Sequence, residues 1–296
     1  MLAQLSRRQT KDHYQDKDHY QDSVRSYFEK MAPYWSNIYE SKGVHECVHQ
    51  QRLQVVLGLV DRIDLPRDSR ALDIGCGAGR AAIGVAKRGY LVEAIDPAPA
   101  MVESTRNRAK QAGLDHQVKT NLGDVHALSF PAGTFALILA IGVLPWLPSS
   151  DQPLHEMCRV LRPGGYLIVT VDNRWALRWL LEPRTSPLLT PAKRMVRRVI
   201  PRPKLTNPGV QSFLTSISNF DALLDATGLE KLDGMTLGFG PFTFFGHHLL
   251  PDDVGLKMHR MLQSLVQRQF PVLRSLGSQY IVLARKRASG NKNGRY

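Results

Sequence analysis

The sequence predicts an α/β fold in which a mostly parallel sheet is wound by helices on both faces. Three observations carry that expectation. Short apolar runs alternate with helical ones from Ala71 to Val171. The first of them, "ALDI", passes directly into a glycine turn, "GCGAG", and then into a small-residue helix. A Pro-Gly-Gly turn at 163–165 launches the run "YLIVTV". Parallel strands need crossover helices, and such units close right-handed, which covers both faces of the sheet.

The elements follow in order. Ahead of the sheet, "SVRSYFEKMA" is helical and ends at Pro33, and "VHECVHQQRLQVVLGLV" at 44–60 repeats apolar residues at helical spacing. The strand at 71–74 leads into a helix over 78–88. The strand "YLVEAI" at 90–95 is followed by Asp96 and Pro97, read as the N-cap and first residue of the next helix. "QVKTNL" (117–122) and "FALILAIG" (135–142) are strands, "DQPLHEMCRVL" (151–161) is a helix, and "YLIVTV" (166–171) is a strand. The rhythm breaks over 173–212 and returns with a helix at 218–228 and a strand at 229–238. It breaks again over 238–276 and closes with the strand "SQYIVLARK" at 278–286. Both breaks exceed ordinary connections and are read as functional caps.

At 296 residues and 43% hydrophobic content, the chain suits one large domain with caps. It has no apolar run long enough to span a bilayer. Its N-terminus, "MLAQLSRRQTKDHYQD", lacks the apolar stretch of a secretory signal. Cys47, Cys76 and Cys158 are odd in number and widely spaced, which suits a reducing compartment. A cytoplasmic location is expected. The hexapeptide "KDHYQD" occurs at 11–16 and again at 17–22, a local duplication within a polar arm. The net charge of +13 is concentrated. Seven Lys and Arg and no acid lie between Arg184 and Lys204, and five more lie between Arg285 and Tyr296. Such segments attract anionic membrane, nucleic acid or acidic substrates, or stand simply solvated.

The glycine turn holds a nucleotide. Its pattern is G-x-G-x-G, with Arg80 where a dinucleotide fingerprint needs its third glycine, so a nicotinamide cofactor is disfavoured. Asp96 ends the second strand about 20 residues on, where an acid reaches ribose hydroxyls.

Together, "LDIGCGAG", "IDPAPAMV", "LGD" at 122–124 and "CRVLRPGGYLIVTV" closely resemble the class I S-adenosylmethionine-dependent methyltransferases of small-molecule type. The resemblance covers residues 70–172 strongly and the final helix and two strands more loosely. It implies a Rossmann-like seven-stranded sheet, ordered 3-2-1-4-5-7-6 with the seventh strand antiparallel, and S-adenosylmethionine as cofactor. Gly75, Gly77 and Gly79 would pass beneath the methionine part. Asp73 would orient its ammonium, Asp96 would take the ribose hydroxyls, and Asp124 the adenine amino group with Val125 nearby. Pro97 and Met101 join the cofactor set, and Ile141 and Gly142 would sit beside the sulfonium. "YFEKMAPYWSNIYE" resembles the lid of small-molecule members, with Tyr27, Tyr34, Trp35 and Tyr39 as candidates and Tyr34 the one taken into the site. The organisation expected is a polar arm over 1–22, a helical lid over 23–66, a methyltransferase domain over 67–286 with caps at 173–212 and 238–276, and a basic tail over 287–296.

Methyl transfer asks mainly for alignment, and for a base only where the acceptor carries a proton of high pKa. Among His126, His155, His247 and His248, His247 in "GPFTFFGHHLL" is the candidate base, and Trp146, Phe242 and Phe245 are candidates for the acceptor pocket. The acceptor expected is small and hydrophobic, methylated at oxygen. Carbon transfer to a quinone-like or lipid-linked acceptor, or a non-catalytic cofactor-binding module, stays open. "HECVH" at 45–49 matches the H-E-x-x-H zinc protease motif, yet lacks the third histidine of the extended form, and no metal is expected. The fourth strand ends in "IGVLPW", unlike the Asn-Pro-Pro-Tyr stretch of base-modifying relatives, so no nucleic-acid partner is expected. "PAKRMVRRVIP" at 191–201 reads as a basic amphipathic helix. Either peripheral contact with anionic membrane through 173–204 or a cap over the pocket accounts for it.

Overall fold

Ten strands and nine α-helices can be followed in a computed structural model that describes residues 19–40, 43–190, 210, 212–268, 270 and 273–288. The strands are β1 (Arg70–Ile74), β2 (Leu91–Asp96), β3 (Val118–Leu122), β4 (Phe135–Ala140), β5 (Leu161–Asn173), β6 (Leu214–Thr215), β7 (Leu229–Leu237), β8 (Thr243–Phe244), β9 (His247–His248) and β10 (Gln279–Lys286). The helices are α1 (19–30), α2 (Ala32–Asn37), α3 (Val44–Asp61), α4 (Arg80–Ala86), α5 (Pro99–Gln111), α6 (Asp151–Val160), α7 (Leu177–Leu181), α8 (Ile217–Ala226) and α9 (Asp252–Gln267).

The main sheet runs β3-β2-β1-β4-β5-β10-β7, with β6 beside β5. Pairings among β1 to β5 are parallel, and β10 is antiparallel to both β5 and β7. This is the order 3-2-1-4-5-7-6, with "SQYIVLARK" as the reversed strand. β4 shows why the sheet is covered twice. Every residue of "FALILA" is buried, the pattern of a strand with apolar layers on both faces. Ile138 packs into the layer holding Leu154, Met157, Phe220 and Leu224, from α6 and α8. Leu137 and Leu139 pack into the layer holding Val56, Leu59, Ala82 and Val85, from α3 and α4. Each such side chain contributes roughly 1.5–3 kcal/mol by leaving water.

Two local expectations are corrected. The leading helix does not end at Pro33. It turns at Met31, and Pro33 lies in the first turn of α2, where its missing N–H forfeits no intrahelical bond. The helix after β2 is not capped by Asp96. Its N-cap is Ala98 and its first residue is Pro99, because the Asp96 carboxylate is held elsewhere. α8 has the expected kind of cap: the Asn219 N–H donates to Ser216 Oγ at 3.2 Å.

Residues 11–18 of the duplicated arm, the basic stretch 191–201 and the tail from 289 lie outside the described residues. Among the described residues no helix is long and apolar enough to cross a membrane.

Candidate active site

The glycine turn leaves β1 with three positive φ angles: +64° at Gly75, +53° at Gly77 and +78° at Gly79. Such angles favour glycine, and the space around each residue separates their roles. A Cβ at Gly75 would stand 2.5 Å from Val143 Cγ2. A Cβ at Gly77 would meet nothing nearer than the Gly75 carbonyl at 4.0 Å, so this turn residue faces open space. A Cβ at Gly79 would stand 2.9 Å from Thr105 backbone and side-chain atoms. Gly79 therefore lets α4 approach α5, and it is not among the residues lining the cavity.

Asp96, at the end of β2, braces the turn. The Gly77 N–H donates to its Oδ2 at 3.0 Å and the Ala98 N–H to its Oδ1 at 2.9 Å. Burial pushes its carboxyl up to about 6, against those two bonds. Asp73, on β1, is 1% exposed. Burial pushes it up to about 7, with Asp96 adding to the rise. Asp124, after β3, accepts at Oδ1 from the N–H of His126 at 2.9 Å, and the His126 ring Nδ1 lies 2.8 Å away. His126 holds the Asp124 carboxyl below its ordinary range.

These groups open into a cavity of about 1430 Å³. Asp73, Gly75, Gly77, Asp96, Pro97, Met101, Asp124, Val125, Ile141 and Gly142 all line it. Its far wall is aromatic. Tyr27, Tyr34, Trp35 and Tyr39 line it from α1, α2 and the turn beyond, as does Trp146, which meets Phe28 edge-on at 5.2 Å. The structure brings neither Phe242 nor Phe245 to the cavity. Phe242 is buried with Phe239 and Val266 in a satellite core, and Phe245 stands exposed at the tip of the β8–β9 hairpin. His247 and His248 form β9 of that hairpin, exposed and outside the cavity lining. Adjacency to an aromatic run does not say which side of a hairpin a residue occupies.

α3 and α7 supply what the motifs did not. His45, His49 and Arg52 line the cavity from α3, and Arg178 and Trp179 from α7. Positions 45, 49 and 52 recur at i, i+4 and i+7, one face of a helix. That polar stripe was the available signal, hidden inside a match to a zinc motif. His49 Nε2 lies 3.3 Å from His45 Nε2, and His45 Nδ1 lies 3.1 Å from the Tyr34 hydroxyl. Burial lowers both imidazoles, His49 well below its ordinary value, with Arg52 adding to the effect there. Both rings are therefore neutral at physiological pH. Among the described residues no three His, Cys, Asp or Glu side chains gather as a metal site.

The cavity asks for a ligand. Eight buried side-chain polar atoms lack a partner among the described residues, and all but Gln117 Oε1 belong to residues lining this cavity. They include Asp73 Oδ2, Arg52 Nε, His49 Nδ1 and Trp179 Nε1. Each unmet group costs about 1–3 kcal/mol, so their concentration on one cavity marks where a polar ligand belongs. Arg52 is 8% exposed and reaches the end of β4, its Nη1 3.1 Å from where a Cβ on Gly142 would lie.

A sheet in this order, with a glycine turn after β1 and an acid closing β2, defines a Rossmann-like methyltransferase fold. Residues 71–165 match the family described as Methyltransferase domain. Residues 71–165 thus carry a class I S-adenosylmethionine-dependent methyltransferase domain, a kind whose cofactor is S-adenosylmethionine. Methyltransferase GfsG of Streptomyces halstedii is 35% identical over 112 residues, 38% of this chain and 40% of that protein. The 27-O-demethylrifamycin SV methyltransferase of Amycolatopsis mediterranei is 31% identical over 173 residues, 58% of each chain. The chain thus spans less than two thirds of either relative. Magnesium protoporphyrin IX methyltransferase from Synechocystis PCC 6803, solved with bound SAH, has a TM-score of 0.57 at 16% identity, covering 89% of this chain and 98% of that one. That likeness is one of fold. Other relatives carry O-, N- and C-methyltransferase names.

Proposed function

We propose that the protein transfers a methyl group from S-adenosylmethionine to the hydroxyl oxygen of a small, hydrophobic acceptor. The cofactor supplies an electrophilic methyl group, and the protein's task is alignment, exclusion of water and proton removal. Gly75 and Gly77 lie beneath the methionine part. Asp73 takes the ammonium, and Arg52, a buried cation with an unmet Nε, takes the carboxylate. Asp96 accepts the ribose hydroxyls through its remaining lone pairs. Pro97, Met101 and Val125 flank the adenine, and Asp124 accepts its amino group. Ile141 and Gly142 border the sulfonium, and Tyr34 and Trp146 close the acceptor side.

The neutral His45–His49 pair, beside the aromatic wall of the cavity, carries the choice of oxygen. A hydroxyl must lose its proton as the new bond forms, and a neutral buried imidazole accepts it. An amine attacks through its lone pair and sheds its proton afterwards. Carbon transfer to a quinone-like ring is the second reading, favoured by the Tyr27, Trp35 and Trp146 surfaces on which such a ring stacks. A panel of phenols, aliphatic alcohols, amines and quinols, read by S-adenosylhomocysteine release, tests both. Oxygen transfer requires turnover of hydroxyl acceptors and its loss in His49→Gln. Turnover confined to amines would overturn it.

A further inference from the structure

The hairpin that does not reach the cavity stands beside another apolar element. β8 and β9 pair Thr243 with His248 and Phe244 with His247, leaving Phe245-Gly246 as a two-residue turn. Both turn residues have positive φ, +49° and +83°. Hairpin turns of this shape favour Asn-Gly, and a bulky aromatic there is strained. Phe245 gains no core contact in return, being 51% exposed. The fold thus holds a large apolar side chain at the tip in a conformation that costs stability.

The tip is fixed to the segment after α7. The Glu182 carboxylate accepts from the Gly246 N–H at 2.8 Å and from the Arg184 N–H at 3.1 Å. Phe244, Phe245 and Leu249 stand on the hairpin side, and Leu181, Leu188 and Leu189 on the α7 side, each between 43% and 64% exposed. Soluble surfaces seldom display so many large apolar side chains on adjoining elements unless something covers them. Charge says what does. Beyond Leu189 the sequence runs through Lys193, Arg194, Arg197, Arg198, Arg202 and Lys204 without one acid. The next acids in the chain are Asp221 and Asp225, on α8, and those that follow the hairpin, Asp252 and Asp253, sit in the first turn of α9, at its positive end. Apolar side chains followed in the chain by a run of concentrated positive charge suit the interface of an anionic bilayer, whereas two copies of a chain at +13 repel.

We propose that the β8–β9 hairpin and the α7 segment form one face that docks the protein on an anionic membrane surface. Insofar as the acceptor is hydrophobic, a clause that rests on the function proposed above, the arrangement brings the cavity to its source. Arg178 and Trp179 of α7 line the cavity, while Leu181 of the same helix belongs to the docking face.

Co-sedimentation of the full chain with phosphatidylcholine vesicles, with and without phosphatidylglycerol, tests this at low and high salt. Wild type should pellet with the anionic vesicles, several-fold less with neutral ones, and less as salt screens the charge. The variant Phe244→Thr/Phe245→Asn/Leu249→Ser keeps the strand and the left-handed turn, since Asn tolerates positive φ. It should bind anionic vesicles roughly tenfold more weakly or worse, while binding S-adenosylhomocysteine as wild type does. That second readout separates loss of docking from misfolding and from any failure of the methyl-transfer reading. Wild type left in the supernatant with anionic vesicles at low salt would overturn the proposal. So would undiminished vesicle binding by the variant, or wild-type self-association that the variant abolishes, which would make the face a contact between copies.

Discussion

His49 lies one helical turn beyond His45 on α3, their Nε2 atoms 3.3 Å apart, and both rings are held neutral by burial. One nitrogen must donate and the other accept. Assigning the proton to His49 Nε2 leaves its Nδ1 free to take a proton and lets His45 pass one from Nδ1 to Tyr34, at 3.1 Å. Tyr34, 38% exposed, ends the path near water.

The pH dependence follows from the lowered His49 value. The base is competent while neutral. An ordinary histidine loses that form below about 6.5, whereas His49 keeps it to lower pH. At saturating cofactor the rate should therefore stay level through pH 6.5 and fall only on further acidification. His49→Gln should lower kcat by about 10²–10⁴ with little change in cofactor affinity. Single-turnover rates on a hydroxyl acceptor, measured across pH for both proteins, check this. A wild-type profile with its midpoint at an ordinary histidine value would contradict it.

Much of the fold was legible because its signals are local and periodic. "FALILA" reads as a doubly covered strand from composition alone, and the spacing from Gly75 to Asp96 places the acid at the next strand's end. The cap on α5 was not legible. Asp96-Pro97 looks like a helix start until the carboxylate is seen to accept from Gly77, 19 positions away. Arg52 and the histidines escaped for a related reason. Their polar stripe faces a cavity rather than solvent, and only the packing of α3 on the sheet reveals it. Phe245 and His247 show the converse, since a run of aromatics marks burial on average and these two are displayed.

Asp96→Ala should weaken S-adenosylmethionine binding severely. The ribose would lose two charge-assisted bonds of roughly 1.5–3 kcal/mol each. The turn would also lose its brace, because the Gly77 and Ala98 N–H groups both depend on this carboxylate. Calorimetric titration measures it. Unchanged affinity would remove Asp96 from the site.

Cofactor affinity should depend on pH through Asp73, which burial raises to about 7. A cationic ammonium favours the ionised acid, so binding displaces a proton wherever the free protein holds one. Affinity is then full above pH 7 and declines as pH falls below it. The sign is opposite for the free protein's stability. Ionising a buried acid opposes folding, so that contribution is lost as pH rises from the unfolded value of about 3.9 through the raised one. Titrations at pH 6 and 8 in buffers of different ionisation heat detect the released proton. Asp73→Asn should bind weakly at both and release fewer protons than wild type, Asp96 remaining as a second source at pH 6.

The last prediction separates two glycines that look alike in "GCGAG". Gly77 and Gly79 both have positive φ, so alanine at either costs about 1–2 kcal/mol in backbone strain. Their surroundings differ. At Gly77 the added methyl faces open cavity, its nearest contact 4.0 Å away, so Gly77→Ala should fold with a modest loss while crowding the space of the cofactor. At Gly79 the methyl would stand 2.9 Å from the Cα of Thr105, a backbone atom with no freedom to yield. Gly79→Ala should therefore add about 1–3 kcal/mol of overpacking to the strain and lower the melting temperature more than Gly77→Ala does. Trimming Thr105 to alanine removes only the side-chain contacts, and with them the Thr105 Oγ1 bond to the Gly77 carbonyl at 2.8 Å, so it should not rescue Gly79→Ala. Melting curves and S-adenosylhomocysteine titrations of the two single variants decide it. If Gly77→Ala lowers stability more, or Gly79→Ala lowers affinity more at equal stability, the division of labour assigned to the turn is wrong.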